Sequence, residues 1–100
     1  MDVQIIEQNN ETIVVIEGRV DTVTASDLEL KVSPIWSMPA ITLVFDCDKL
    51  EYLSSSGLRL ILTAHKQITA KNGKFLLRNL TSEVRSVLDM TGFSRILTIE

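Results

Sequence analysis

Two short apolar runs, Ile41-Thr42-Leu43-Val44-Phe45 and Phe75-Leu76-Leu77, flank one long amphipathic segment. No other feature of the chain narrows the fold as much. Each run is too short for a helix and nearly free of polar residues, as expected of a strand covered on both faces. The intervening segment, about Leu58 to Ala70, repeats apolar residues at helical spacing and meets a stop signal at Asn72-Gly73. Strand, helix and strand at this spacing favour parallel strands joined by a crossover helix.

The flanking segments extend the pattern. Val3 to Glu7 starts as a strand, Gln8-Asn9-Asn10 reads as a turn, and Thr12 to Ile16 is β-branched throughout. The two runs form an antiparallel hairpin, with Gly18 ending its second strand. Asp21 or Thr22 caps a helix whose apolar face is Ala25, Leu28, Val32 and Ile35, and Pro34 and Pro39 mark its end. Asp46-Cys47-Asp48-Lys49 closes the strand begun at Ile41. Beyond the strand at Lys74 to Asn79, Thr81 or Ser82 caps a third helix with Val84, Val87 and Leu88 on one side, ending at Thr91-Gly92. Arg95 to Ile99 fits a short strand or a short helix. The prediction is a single α/β domain over residues 1–100: a mixed sheet with a parallel centre, an N-terminal antiparallel hairpin and helices packed around it.

Composition excludes several classes. The net charge is -3 with acids and bases interspersed, so direct nucleic-acid binding has no electrostatic support. No apolar run approaches the roughly 20 residues that a membrane-spanning helix needs. The start, Met1-Asp2-Val3-Gln4, lacks the basic and apolar regions of a signal peptide, and Cys47 is alone. A cytoplasmic protein without membrane insertion is the expectation.

Chemistry in parallel α/β sheets gathers beyond the carboxyl ends of strands. That places Asp21, the pair Asp46 and Asp48, and Ser54-Ser55-Ser56 at one edge. With Leu58 at zero on a helical wheel, Ile61, Leu62, His65, Ile68 and Thr69 share its side and are expected to face the sheet. His65 is therefore expected to be largely buried. Ser56 falls opposite, above Arg59, Leu60 and Thr63. Geometry leaves two readings of its hydroxyl open, an N-cap or a modifiable group, although three serines exceed what one cap requires.

Enzyme readings find little footing. No Gly-x-Ser-x-Gly elbow is present, and His65 lies nine residues beyond Ser56 on the same helix, roughly 13 Å along its axis. A lone histidine completes no metal site. Asp46 and Asp48 could take Mg²⁺, but a strand end and turn explain them as well. Cys47 reads as a small buried residue, and Trp36 as core closure. No cofactor is called for, since the chain has no Gly-rich phosphate loop.

Leu43-Val44-Phe45-Asp46 followed by Leu50-Glu51-Tyr52-Leu53-Ser54-Ser55-Ser56-Gly57-Leu58-Arg59 resembles the signature of STAS-domain anti-sigma factor antagonists. That family shows a hydrophobic strand ending in Asp, a short connection, then Ser-Ser-Gly-Leu or Ser-Thr-Gly-Leu opening a helix. Glu17-Gly18-Arg19-Val20-Asp21 is similar to its Gly-x-hydrophobic-Asp element, and Leu88-Asp89-Met90-Thr91-Gly92-Phe93 to its C-terminal pattern. Two positions depart from it: Ser54 stands where many members carry Asp, and Asp48 where many carry Ser.

The resemblance implies a binding switch, not an enzyme. Its partners would be an anti-sigma factor that is also a serine kinase, and a serine phosphatase. Ser56, just before the glycine, would be the phosphoacceptor. Ser54, Ser55, Asp21, Asp46 and Gly57 would form the rim, with Ser55 sharing the cap, and Arg59, Leu60 and Thr63 the contact face. The alternative is a constitutive STAS accessory subunit, such as that of a lipid-transport ATPase, using the same helix without phosphorylation.

Overall fold

A computed structural model describes residues 1–100. Its strands and helices alternate as β1 (Asp2–Gln8), β2 (Glu11–Val20), α1 (Thr22–Val32), β3 (Thr42–Leu53), α2 (Ser55–Thr69), β4 (Lys74–Arg78), α3 (Ser82–Thr91) and β5 (Thr98–Ile99). Short 3-10 turns at Ser33–Ser37 and Phe93–Arg95 follow α1 and α3. The ambiguous C-terminal segment is thus both: a helical turn, then a two-residue strand.

The five strands lie in the order β1-β2-β3-β4-β5. β1 pairs antiparallel with β2, and every later pair is parallel. Asn9 and Asn10 join the hairpin with positive φ, as a two-residue turn of matching twist requires.

This sequential order fixes where the helices go. Each crossover advances one strand in the same direction, and parallel crossovers are right-handed, so α1, α2 and α3 must share one face. The packing agrees. Ala25, Leu28, Ile61, Ala64, Ile68, Val84 and Leu88 of the helices join one core with Val14, Ile16, Leu43, Phe45, Cys47, Phe75 and Leu77 of the sheet. The intervening strand residues Ile13, Val15, Val44 and Leu76 lie outside that core. The sheet is therefore covered by helices on one face only, not on both. Val44 is nonetheless fully buried. Arg78 on β4 reaches Glu11 on β2 (3.0 Å) and Glu100 (3.1 Å), so the first pair spans the central strand on the side that Val44 occupies. The apolar run predicts a strand sandwiched between helices, whereas long ionic side chains help to close its second face.

β3 is much longer than its apolar run. It continues through Asp46-Cys47-Asp48-Lys49 to Leu53, paired with β2 as far as Val20. Gly18 does not end β2. It sits at a register shift with φ 99°, a backbone angle that glycine adopts without strain. Between Val15 and Glu17, and again between Gly18 and Arg19, β3 carries one extra residue. Each bulge changes which face the following residues present, so Cys47, Leu50 and Leu53 are buried at three-residue spacing instead of two. Burial pushes the Cys47 thiol up to about 12, as befits a packing residue.

Candidate functional site at the start of the second helix

β4 ends at Arg78, in register with Asp46, while β2 and β3 run on together to Val20 and Leu53. The three serines follow Leu53 at the tip of this two-stranded extension. The Ser54 N–H donates to the Val20 carbonyl (2.8 Å), which brings the serines beside Asp21.

Both helices that start here are capped. The Asp21 carboxylate accepts from the N–H groups of Val23 (3.0 Å) and Thr24 (2.9 Å), and the Thr24 hydroxyl accepts in return from the Asp21 N–H (2.8 Å). The Thr24 N–H and hydroxyl hold the Asp21 carboxyl below its ordinary value. For α2 the cap is Ser54, whose Oγ accepts from the Gly57 N–H (3.2 Å). Ser55, expected in the cap, is the exposed first residue of the helix.

Ser56, the second residue of α2, is half-buried. It lines a cleft of about 190 Å³ with Thr22, Ala25, Ser26 and Glu29 of α1 and with Arg59, Leu60 and Thr63 of its own helix. Arg59 is exposed and takes no part in the ion pairs Arg78–Glu11, Arg78–Glu100 and Arg85–Asp89. Thr63 donates its hydroxyl to the Arg59 carbonyl (3.0 Å). Sequence reasoning missed the α1 wall of the cleft. Thr22, Ser26 and Glu29 stand at i, i+4 and i+7, a polar stripe that was legible once α1 was placed.

Three expectations need correction. Asp46 is not on the rim. It is an interior residue of β3, seven residues before Leu53 and on the order of 20 Å away along the strand. Its Oδ1 instead accepts from the Asp48 N–H and the Asn79 amide, both at 3.2 Å. Leu60 is not on the contact face. It is 4% exposed and belongs to the core. The buried stripe of α2 is Gly57, Leu58, Leu60, Ile61, Ala64 and Ile68, turned about 70° from the one anticipated. His65 is accordingly half-buried, not largely buried. Its ring meets Phe75 edge-on at 6.4 Å, and its Nδ1 is enclosed without a hydrogen-bond partner.

Gly57 is required by close approach, since its φ is not positive. A Cβ there would stand 2.6 Å from Leu53 Cδ1 and 2.8 Å from Val20 Cγ1. The start of α2 therefore rests directly on the ends of β2 and β3. In an open helix Gly→Ala gains about 1 kcal/mol, whereas overpacking a core costs about 1–3 kcal/mol. Both struck methyls belong to buried residues, so the steric effect wins. Gly57→Ala should lose up to about 2 kcal/mol in urea unfolding, and a variant more stable than the wild type would show that the helix start sits loosely.

Comparison with known proteins fits this geometry. The STAS domain model matches residues 2–100. The chain belongs to the STAS domain family. The STAS chain is 31% identical over 84 residues to BtrV of Bordetella bronchiseptica, which is named as an anti-sigma factor antagonist; the match covers 84% of this chain and 72% of that one. Its fold is that of the anti-sigma factor antagonist SpoIIAA in its unphosphorylated form, with TM-score 0.82, 21% identity and coverage of 99% of this chain and 88% of that one. The phosphorylated form of Bacillus SpoIIAA superposes with TM-score 0.76 at 20% identity, covering 99% and 91%. An antagonist from Mycobacterium paratuberculosis gives 0.88 at 21% identity, covering 98% and 83%. As in the sequence expectation, the fold is α/β with a mixed sheet whose parallel part follows an N-terminal hairpin. No helix is long and apolar enough to cross a membrane.

Proposed function

We propose that this STAS domain is an anti-sigma factor antagonist, switched off by phosphorylation of Ser56. The unmodified protein binds an anti-sigma factor with serine kinase activity and thereby frees the sigma factor. The kinase transfers the γ-phosphoryl group of ATP to Ser56 Oγ, with loss of the hydroxyl proton, and the complex separates. A serine phosphatase restores the hydroxyl. The domain thus acts in the cytoplasm as a ligand and a substrate, controlling transcription without touching DNA.

One observation carries this reading. Ser54 performs the capping of α2, so the Ser56 hydroxyl is spared from that duty and faces a cleft. The relatives' names supply the partner class. Ser55, Arg59 and Thr63 then form the contact face, with Ser54, Asp21 and Gly57 holding the helix start in place.

The test is affinity capture of the tagged protein from its own cells, with mass spectrometry of the Ser54–Ser56 peptide. A captured serine kinase together with phosphate on Ser56 is the expected result. Capture of a transport ATPase with all three serines unmodified would overturn it in favour of a constitutive subunit.

A further inference from the structure

Most of the cleft beside Ser56 favours an anion. Its walls bring two helix starts together, since Thr22 is the first residue of α1 and Ser56 the second of α2. Both starts are the positive ends of helix dipoles. The Thr22 and Ser26 hydroxyls stand exposed on the α1 wall. Arg59 lies three residues beyond Ser56 on the α2 wall, a spacing at which side chains of one helix meet. Donors of this kind, converging on the three oxygens of a phosphate, would draw it down into the cleft. One lining residue opposes that. Glu29, exposed on α1 and absent from the ion pairs of the fold, supplies the only carboxylate of the cleft.

We propose that Glu29 keeps a phosphate on Ser56 out of the cleft and turned toward solvent. The inference rests on the reading of Ser56 as the phosphoacceptor, and it names the residue that governs how the modified form is held. The cleft encloses about 190 Å³. A charge on its α1 wall therefore lies within a Debye length, roughly 8–10 Å, of one on its α2 wall. A phosphate that enters gains the hydroxyls of α1 but gives up water and approaches Glu29. One that stays outside keeps its water and the helix dipole, and still meets Arg59 at the surface. The remaining acid near the serines does not change this balance. Asp21, which precedes α1, directs its carboxylate to the Val23 and Thr24 N–H groups and does not line the cleft.

The outward placement has two consequences for the switch. The phosphate meets an approaching partner as a hydrated charge that must be stripped of water, not as one already neutralised inside the domain. It also stays within reach of a phosphatase, so the modification can be reversed. A cleft without Glu29 would work against both, by sequestering the group that the partner has to sense and the phosphatase has to remove.

Synthesis of the protein with phosphoserine in place of Ser56, by codon reassignment, tests this without the kinase. Glu29→Gln, at an exposed position, should let the installed phosphate close onto Thr22, Ser26 and Arg59. By phosphorus NMR titration its second pKa should fall by roughly 0.2–0.7 unit, the equivalent of one exposed charge interaction. Phosphate release by alkaline phosphatase should slow by roughly 2- to 5-fold, the same difference expressed as a ratio. Asp27→Asn is the control. It removes an equal charge from α1 outside the cleft, and should leave both readouts at the wild-type values. Unchanged pKa and release rate in Glu29→Gln, or equal shifts in Glu29→Gln and Asp27→Asn, would overturn the proposal. Ser56 found unmodified in cells would defeat the switch reading alone, because the installed phosphate reports on the cleft directly.

Discussion

Leu60→Ala should cost the protein about 2–5 kcal/mol, the range for emptying a leucine site in a packed core. Leu60 is nearly inaccessible and lies between the two helices that frame the Ser56 cleft. A domain of this size commonly holds about 5–15 kcal/mol in total, so the loss removes a large share of its stability. At roughly 4–8 °C per kcal/mol, Tm should fall by about 10 °C or more. Leu62→Ala is the matched control. Leu62 is half-buried and packs against the core from its edge, so its loss should be clearly smaller. Urea unfolding of the two variants gives the ordering directly. If Leu60→Ala melts like the wild type while losing partner binding, Leu60 is a surface contact and the helix is turned as the apolar pattern alone suggested.

That reversal shows where sequence reasoning stopped. The helical spacing of α2 predicts a buried stripe of Leu58, Ile61, Leu62, His65, Ile68 and Thr69, which leaves Leu60 outside it. In the fold α2 packs on the sheet and also against α1, so its buried face is wide and includes Gly57 and Ala64. Small residues carry little hydrophobic signal, yet they let the backbones approach. The Gly57 contacts with Val20 and Leu53 record this approach. A second helix alongside cannot be inferred from one helix's own periodicity.

The long β3 was illegible for another reason. Its first half has the continuous apolar character of a central strand, which predicts the strand but not that helices cover only one of its faces. Its second half buries Cys47, Leu50 and Leu53, because two bulges each add a residue opposite β2. Three-residue spacing resembles neither a strand nor, over so few residues, a helix. The misplacement of Asp46 follows from that error. A strand ending at Phe45 would have put Asp46 at the sheet's edge beside the serines, whereas the observed extension carries the serines a further seven residues away. The signals that did survive were local ones: Asn9-Asn10 for the hairpin, Asp21 and Thr81 for two caps, and Gly92 in the left-handed conformation closing α3. Local chemistry reads out of sequence because its partners are within a few residues, and cross-strand register does not.

Phosphorylation of Ser56 should weaken binding to the kinase partner at least 100-fold while leaving the fold intact. A phosphate adds about -1.5 to -2 charges at neutral pH. At the second residue of α2 it meets the positive end of the helix dipole. Arg59, one turn along and without an ionic partner, adds an attractive charge. Glu29, on the opposite wall of the same cleft, adds a repulsive one. These contributions are each of the order of 1 kcal/mol at a half-buried helix start and partly cancel, so thermal stability should move little. The cost falls on the complex. A partner surface seated over Ser55, Arg59 and Thr63 would have to strip water from a dianion, and an unpaired buried charge costs several kcal/mol. About 2.8 kcal/mol already gives 100-fold, enough to separate a micromolar complex at cellular concentrations. Ser56→Ala should stay folded and remain bound, because Ser54 alone caps the helix. Ser56→Asp should stay folded and bind less well than the wild type, with a smaller loss than the phosphoprotein, since it carries a single charge. Calorimetric titration of the kinase with each form, alongside its melting curve, separates the possibilities. Equal affinity for the modified and unmodified proteins would defeat the switch. Loss of binding only in forms that have also lost their melting transition would mean that Ser56 supports the helix start instead of signalling from it.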